Sequence, residues 1–266
     1  MDDRQFSQLL DHFGLSWRGY RKVRRGVKKR ISRHMQQLGC HTMEDYLYAL
    51  DNNPEIIKDV DRLMTVSISR FFRDHHLWKV MEEKIIPNII TQYQEKVRVW
   101  SAGCALGQEA YSLKILWSML AKKFEQLPRL QLWATDINPD YLIKARKGVY
   151  DRSALKEVPE EIKKAYFHAS KDKSNYLIAD QAKEGIIWEI YDPITQPPPV
   201  KKFQIIFLRN NLLTYYRQEI KEPAFHKVME GLTDGGFLII GSHEKLPFQT
   251  HKLLRFEGCS YIFEKV

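Results

Sequence analysis

The segment VRVWSAGCALGQEAYSL, residues 97–113, constrains the fold more than any other stretch of the chain. A β-branched and aromatic run ends in small residues, passes Gly103 and Gly107, and opens directly into a helical pattern. A strand that turns on glycines into a helix brings backbone N–H groups close to a ligand, with no Cβ in the way. The surrounding texture agrees. A helical stretch, HLWKVMEEKIIPNIITQYQ, leads in, and the helix AYSLKILWSMLAKKF is followed by strand-like RLQLWATD, helix-like PDYLIKARKGVY, and strands near IIWEIYD and FQIIFLRN. A helix near RQEIKEPAFHKVMEGL comes next, and GGFLIIGSH and RFEGCSYIFEKV close the series as two strands with no helix between them. This alternation predicts an α/β fold with a parallel sheet, the terminal pair forming an antiparallel hairpin at its edge.

Before residue 95 no strand pattern occurs. Tyr20, Val23, Val27, Ile31 and Met35 recur at three- and four-residue steps, an apolar stripe on an otherwise cationic helix that Gly39 ends. Thr42 with Asp45 predicts a capping box, and Asn53-Pro54 a break, after which Ile56, Val60 and Met64 resume helical spacing. The basicity of the chain is local. Its 42 Lys+Arg against 33 Asp+Glu give a net charge of +9, and the nine Lys/Arg between Arg18 and His34, with no acid among them, equal the whole excess. Like charges so crowded repel one another, which points to an anionic partner for the basic helix 18–34: an acidic protein or a nucleic-acid backbone. Only Trp17 and Tyr20 offer stacking aromatics near the run, which favours the protein.

Other classes are disfavoured. No apolar run reaches the roughly 18 residues of a membrane span, and the start, MDDRQFSQLLDHF, is acidic and amphipathic rather than signal-like. Three cysteines without a CxxC argue against a disulfide framework or a thiolate zinc site, so a soluble, cytoplasmic protein is expected. His75-His76 are adjacent and lack an HxxxH companion, so no metal is expected. Cys104 has no nearby His in sequence and is expected to be a small residue beside a ligand rather than a nucleophile.

Glycine spacing of GxxxG instead of GxGxxG weakens a dinucleotide assignment. Glu109 at the helix start would repel a pyrophosphate but tolerate a ligand with a cationic end, such as S-adenosylmethionine (SAM) with its sulfonium and α-amino groups. Asp136 ends the next strand, where a carboxylate can accept hydrogen bonds from a ribose diol; the alternative is an N-cap of the following helix. Asp192, Arg209 and Asn210 end later strands on the same rim.

These motifs, in this order, resemble the chemotaxis receptor methyltransferase (CheR) family. The matching pieces are TVSISRFFRD (65–74), VWSAGCALGQEAYSL (99–113), ATDINPDYLIKARKGVY (134–150), FQIIFLRNNLLTYY (203–216) and GGFLIIGSHEKL (235–246). The resemblance implies a Rossmann-like SAM-dependent methyltransferase sheet preceded by a small all-helical domain. The expected division is 1–75 helical and 76–266 SAM-binding, with 151–188 a small insertion subdomain. It implies esterification of glutamate side chains on an acidic, helical protein such as a chemoreceptor, with SAM as donor and S-adenosylhomocysteine as product. Residue by residue, Arg73 would sit beside the methyl donor and orient the acceptor. Ser67 and Ser69 stand where the family often has Asn and Thr touching SAM. Glu109 would hold the methionine amino group, Gly103 the close turn, Asp136 the ribose and Asp192 the adenine, with Arg209 and Asn210 lining the pocket. Tyr215 resembles the active-site tyrosine, but RNNLLTYY is one residue longer than the usual RNVLIYF, so Tyr216 and Thr214 are alternatives.

Carboxylate methylation needs little machinery. The acceptor is already ionised at pH 7, so no general base is required, and a positioned Arg in a dry pocket suffices to align it. A lysine acceptor, with a pKa of about 10.4, would need a base, for which Tyr215 or Asp192 is available. The alternatives are therefore a protein lysine, an RNA or a small molecule as acceptor, or a non-catalytic SAM-binding regulator.

Overall fold

The structure, a computed structural model, describes residues 1–67, 69–171 and 174–266. Ile68, inside the TVSISRFFRD motif, and Asp172 and Lys173, inside 151–188, lie outside the described residues.

The chain begins with α1 (Asp3–His12), α2 (Trp17–Tyr20), α3 (Arg24–Gln37), α4 (Met43–Asn52) and α5 (Pro54–Met64). Thr42 and Asp45 form the expected capping box, and Asn53 caps α5 with Pro54 at its first position. Phe6, Leu9, Tyr20, Val27, Ile31, Tyr46, Leu50 and Val60 pack as one buried cluster. The basic stripe is not one continuous helix: α2 stops at Tyr20, a turn spans 21–23, and α3 starts at Arg24. The reason is tertiary. A Cβ on Gly19 would lie 2.2 Å from the Thr214 carbonyl oxygen, so α2 is pinned against a distant loop while α3 runs in its own direction.

Next come α6 (His75–Val80), a π turn (Met81–Ile85) and α7 (Ile86–Gln92). Pro87 has no N–H to donate four residues back, and the wider turn immediately ahead of it, closed by Ile86 N–H to Met81 C=O, absorbs the break. The remaining elements are β1 (Lys96–Ala102), α8 (Gln108–Leu120), β2 (Arg129–Asp136), α9 (Pro139–Lys147), β3 (Val149–Asp151), a 3₁₀ turn (Arg152–Leu155), α10 (Glu160–Tyr166), β4 (Phe167–Ala169), β5 (Asn175–Ile178), α11 (Asp180–Lys183), β6 (Ile186–Ile190), β7 (Phe203–Leu208), α12 (Leu212–Tyr215), α13 (Gln218–Glu230), β8 (Leu232–Ile240), β9 (Leu253–Arg255) and β10 (Ile262–Lys265).

The main sheet has the order β6-β2-β1-β7-β8-β10-β9. Strands β6, β2, β1, β7 and β8 are parallel, whereas β10 runs antiparallel to both β8 and β9. The expected α/β sheet with an antiparallel terminal pair is thus present, extended by β9 as a third edge strand. All six residues of β7 are buried, as a central parallel strand covered on both faces requires. The chain leaves β1 towards β2 on one side and later returns to β7 on the other, so a crevice opens at the carboxyl ends of β1 and β7.

The stretch read as a helix to residue 150 stops at Lys147. Val149–Asp151, β-branched and aromatic, instead pair with Asn175–Leu177 in a three-stranded antiparallel sheet of order β3-β5-β4. Among the described residues no helix is long and apolar enough to cross a membrane.

Candidate functional site

The crevice widens into a cavity of about 260 Å³ that brings together every site residue named from the sequence: Ser67, Ser69, Arg73, Gly103, Glu109, Asp136, Asp192, Arg209, Asn210 and Tyr215. Tyr216 lines it too; Thr214 does not. The helical part supplies Phe13, Leu15, Tyr20, Asp61 and Met64 to the same wall.

The floor is the turn after β1. Gly103 has φ +83°, and a Cβ there would sit 1.9 Å from Asn211 Nδ2, so only glycine lets the turns after β1 and β7 meet. Asn211 Nδ2 donates to the Ala102 carbonyl, and the N–H groups of Gly103 and Cys104 both donate to the Thr135 carbonyl at 2.8 Å.

Glu109, in the first turn of α8, accepts from Ser101 Oγ at 2.7 Å and from an Arg209 Nη at 2.9 Å. The other Arg209 Nη donates to Asp74. Arg209 therefore bridges two carboxylates while its side chain is only 5% exposed. Its Nε is buried with no hydrogen-bond partner among the described residues.

Asp136 accepts from Ala105 N–H and from Asn138 N–H, each at 2.9 Å. It does not cap α9; Asn138 does, accepting from Asp140 N–H at 3.0 Å. Burial raises the Asp136 pKa above the ordinary carboxylate value, against the pull of those backbone donors. Asp192, beyond the end of β6, accepts from Ile194 N–H at 2.9 Å and Thr195 Oγ1 at 2.7 Å. Asn210 sits in the left-handed region at φ +55°, its N–H donating to Glu244 Oε2 at 2.9 Å.

Arg73 lies between two more left-handed residues, Phe72 at φ +52° and Asp74 at φ +65°. Such backbone persists only where the surroundings hold it. Here Phe72 N–H donates to Ser112 Oγ at 2.9 Å, and Trp78 Nε1 donates to the Arg73 carbonyl at 2.9 Å. Tyr215 packs its ring 4.8 Å from that of Tyr20. Burial and the Glu244 charge push its phenol up to about 12, with Arg73 acting in the opposite direction. Tyr216, by contrast, is surrounded by the charges of Asp192, Asp61 and Asp136, and its phenol is also pushed up, chiefly by burial.

Two contributors escaped the sequence reading. Asp61, from α5, has its carboxyl pushed up to about 6 by burial and by Asp192; it follows Val60 in the apolar stripe, and nothing local marks it. Glu244 accepts from Asn210 N–H, from Gly241 N–H at 2.7 Å and from Thr214 Oγ1 at 2.5 Å. Its place in GSHEKL was the only signal. The Cys104 thiol is buried and pushed well above its ordinary value by burial, Asp136 and Glu109, which keeps it protonated. Among the described residues no group of three or more His, Cys, Asp or Glu has an arrangement that could hold a metal ion.

The family model described as "CheR methyltransferase, SAM binding domain" matches residues 67–262. The chain is 29% identical over 220 residues to a chemotaxis protein methyltransferase of Listeria innocua, covering 83% of this chain and 81% of that one. It is 28% identical over 226 residues to a probable chemotaxis protein methyltransferase of Rhizobium etli, covering 83% and 84%. Among solved structures, a TehB-like SAM-dependent methyltransferase from Corynebacterium glutamicum aligns over 72% of this chain and 96% of its own, with 13% identity and a TM-score of 0.38. With the family model spanning most of its length, the chain belongs to the CheR family and is a SAM-dependent methyltransferase.

Proposed function

We propose that the protein transfers the methyl group of SAM to glutamate carboxylates of an acidic, helical protein of the chemoreceptor kind. The observation that carries this is that Arg73 and Tyr215 line the same cavity, close enough for the Arg73 charge to oppose the rise of the Tyr215 phenol to about 12. That end of the cavity offers a fixed cation and a neutral hydrogen-bond donor. The carboxyls with raised pKa, Asp61 and Asp136, act on Tyr216 instead. Glu244, the carboxylate whose charge acts on Tyr215, already accepts three hydrogen bonds and is poorly placed to take a proton from an acceptor. A carboxylate acceptor needs no base.

The donor set fits SAM. The buried, unpartnered Arg209 Nε can donate to the methionine carboxylate, and Glu109 beside it can receive the α-amino group. Each Asp136 oxygen accepts one backbone bond and keeps a second acceptor position for the ribose hydroxyls. Asp192 borders the adenine end, Asn210 lines the pocket beyond β7, and Ser67 and Ser69 add polar contacts from the linker. When bound, SAM supplies a methyl group on a sulfonium, an electrophile that carries its own leaving group. Arg73 then holds the acceptor carboxylate in line, Tyr215 donates to it, and the aromatic walls strip its water as opposite charges are consumed.

Residues 1–75 act as the docking domain and also carry Ser67, Ser69 and Arg73 to the cavity of the catalytic domain, 76–266. The insertion expected at 151–188 is the small sheet β3-β5-β4, which starts at Val149, and residues 186–188 belong instead to β6 of the main sheet. The exposed cations of the basic run form the docking face, and a nucleic acid is the weaker alternative. Free Cys40, Cys104 and Cys259 accord with a cytoplasmic setting. The test is methyl transfer from labelled SAM to candidate acceptors, followed by mild alkali. Methyl esters release methanol, whereas label that stays bound would identify an amine acceptor and overturn the proposal.

A further inference from the structure

The nine cations of the basic run do not share one role. Arg18, Arg21, Lys22, Arg25, Lys29 and Arg33 are exposed, and among the described residues no carboxylate lies within salt-bridge distance of them. Arg24 and Lys28 pair with Asp3 of α1, at 3.3 and 2.9 Å. Arg24 also donates to the carbonyl of nearby Arg21, whereas Arg30 reaches the backbone at the far end of α5. Its Nε donates to the Leu63 carbonyl at 2.8 Å and an Nη to the Thr65 carbonyl at 2.9 Å. These carbonyls close the C-terminal end of α5, where unsatisfied oxygens and the helix dipole favour a cation.

Thr65 is itself a junction between the helical part and the sheet. Its hydroxyl donates to the Arg62 carbonyl at 2.6 Å, receives Asn138 Nδ2 at 3.0 Å, and lies 3.0 Å from the Tyr141 hydroxyl. Asn138 in turn gives its N–H to Asp136 at 2.9 Å. A continuous set of hydrogen bonds therefore runs from Arg30 through Thr65 and Asn138 to the acid at the end of β2. Thr65 also opens the segment that carries Ser67, Ser69 and Arg73 into the cavity.

We propose that Arg30 is a positioning residue for the SAM cavity: by holding the carbonyls of Leu63 and Thr65 it sets the Thr65 hydroxyl against Asn138, and through Asn138 it fixes Asp136. Arg30 is not among the residues that line the cavity. Lysine is a poor substitute, because one ammonium replaces a planar fork that reaches two carbonyls at once. This inference rests on the assignment of Asp136 to SAM binding.

The test is calorimetric titration of SAM and S-adenosylhomocysteine into the full chain and its variants, with melting midpoints recorded to confirm that each is folded at the titration temperature. Arg30→Ala is expected to weaken SAM binding about tenfold, and Arg30→Lys by roughly threefold, as loss of a charge-assisted pair of hydrogen bonds predicts. Arg25→Ala, on the exposed face, is expected to stay within about twofold of wild type. Thr65→Val is expected to weaken SAM binding, and adding Arg30→Ala to it is expected to do little more, because both act through one network. A purely structural role for Arg30 would lower the melting midpoint but leave the affinity of the folded chain unmoved. Equal SAM affinity in wild type and Arg30→Ala would overturn the proposal, as would additive losses in the double variant. If Arg30→Ala does not fold, equal affinity in Arg30→Lys does the same. Failure of the wild type to bind SAM would instead overturn the cavity assignment.

Discussion

The backbone N–H of Ser16 donates to the carbonyl of Tyr215 at 2.7 Å. Around that bond, Leu15 and Tyr216 form an isolated antiparallel bridge, and Arg217 N–H reaches the Gly14 carbonyl at 2.9 Å. The helical part and the tyrosine loop are joined through main chain, so the helices form one wall of the cavity. Truncation of residues 1–20 should therefore reduce SAM affinity by about tenfold or more, since it removes Leu15 and Tyr20 from the lining. Titration of the truncated chain checks this; unchanged affinity would mean that the helices serve docking alone.

Arg73→Ala should leave SAM affinity within about threefold of wild type while lowering turnover by about a hundredfold or more, the pattern of lost acceptor alignment. Because the Tyr215 phenol is pushed up to about 12, it stays protonated through pH 9. The turnover of wild type and Tyr215→Phe should then differ by a constant factor between pH 7 and 9. A basic limb seen only in the wild type would assign Tyr215 a titrating role.

Asp61 gives a pH-dependent stability prediction. Its carboxyl is pushed up from the ordinary 3.8 to about 6, so the folded state binds its proton more tightly than the unfolded state does. The associated stability is present below about pH 4 and is lost as pH rises through 6. Asp61→Asn should match wild type at pH 4 and exceed it at pH 8. The gain should be on the order of 1–2 kcal/mol, reduced from the full shift by partial solvent screening. Melting curves at the two pH values test the sign; a variant less stable than wild type at pH 8 would contradict it.

Gly103→Ala should cost about 2–4 kcal/mol, because the added Cβ meets Asn211 Nδ2 at 1.9 Å and the backbone is left-handed. Both the Asn211–Ala102 link and SAM binding should suffer. Denaturant titration with and without SAM measures the two effects separately.

Charge reversal at Arg21, Arg25 and Lys29, all exposed, should raise the KM for a protein acceptor and flatten its salt dependence without changing SAM affinity. Parallel measurement of acceptor KM at two salt concentrations and of SAM affinity checks both parts.

Much of this arrangement was legible in the chain. Short-range chemistry announced itself: the Gly103 turn, the Thr42–Asp45 box and the polar residues ending β2 and β7 each follow from local spacing. What escaped depends on long-range contact. Asp61 is an ordinary helix residue until Asp192 and the cavity enclose it, and Arg30 resembles its neighbours until Leu63 and Thr65 face it. The repulsion inferred for the basic run was overstated, because Asp3, fifteen residues upstream of Arg18, pairs with two of the nine cations. Helix α9 ends at Lys147 because Gly148 caps it in the left-handed region at φ +66°, a local signal, whereas the strand that Val149 and Tyr150 then form against Leu177 and Tyr176 is a pairing no local window contains.

The most direct test is a crystal structure with S-adenosylhomocysteine. The nucleoside is expected across the carboxyl ends of β1 and β2, its ribose on Asp136, its amino-acid end at Glu109 and Arg209, and its sulfur facing Arg73 and Tyr215. A ligand bound elsewhere, or one whose sulfur points away from Arg73, would contradict this assignment.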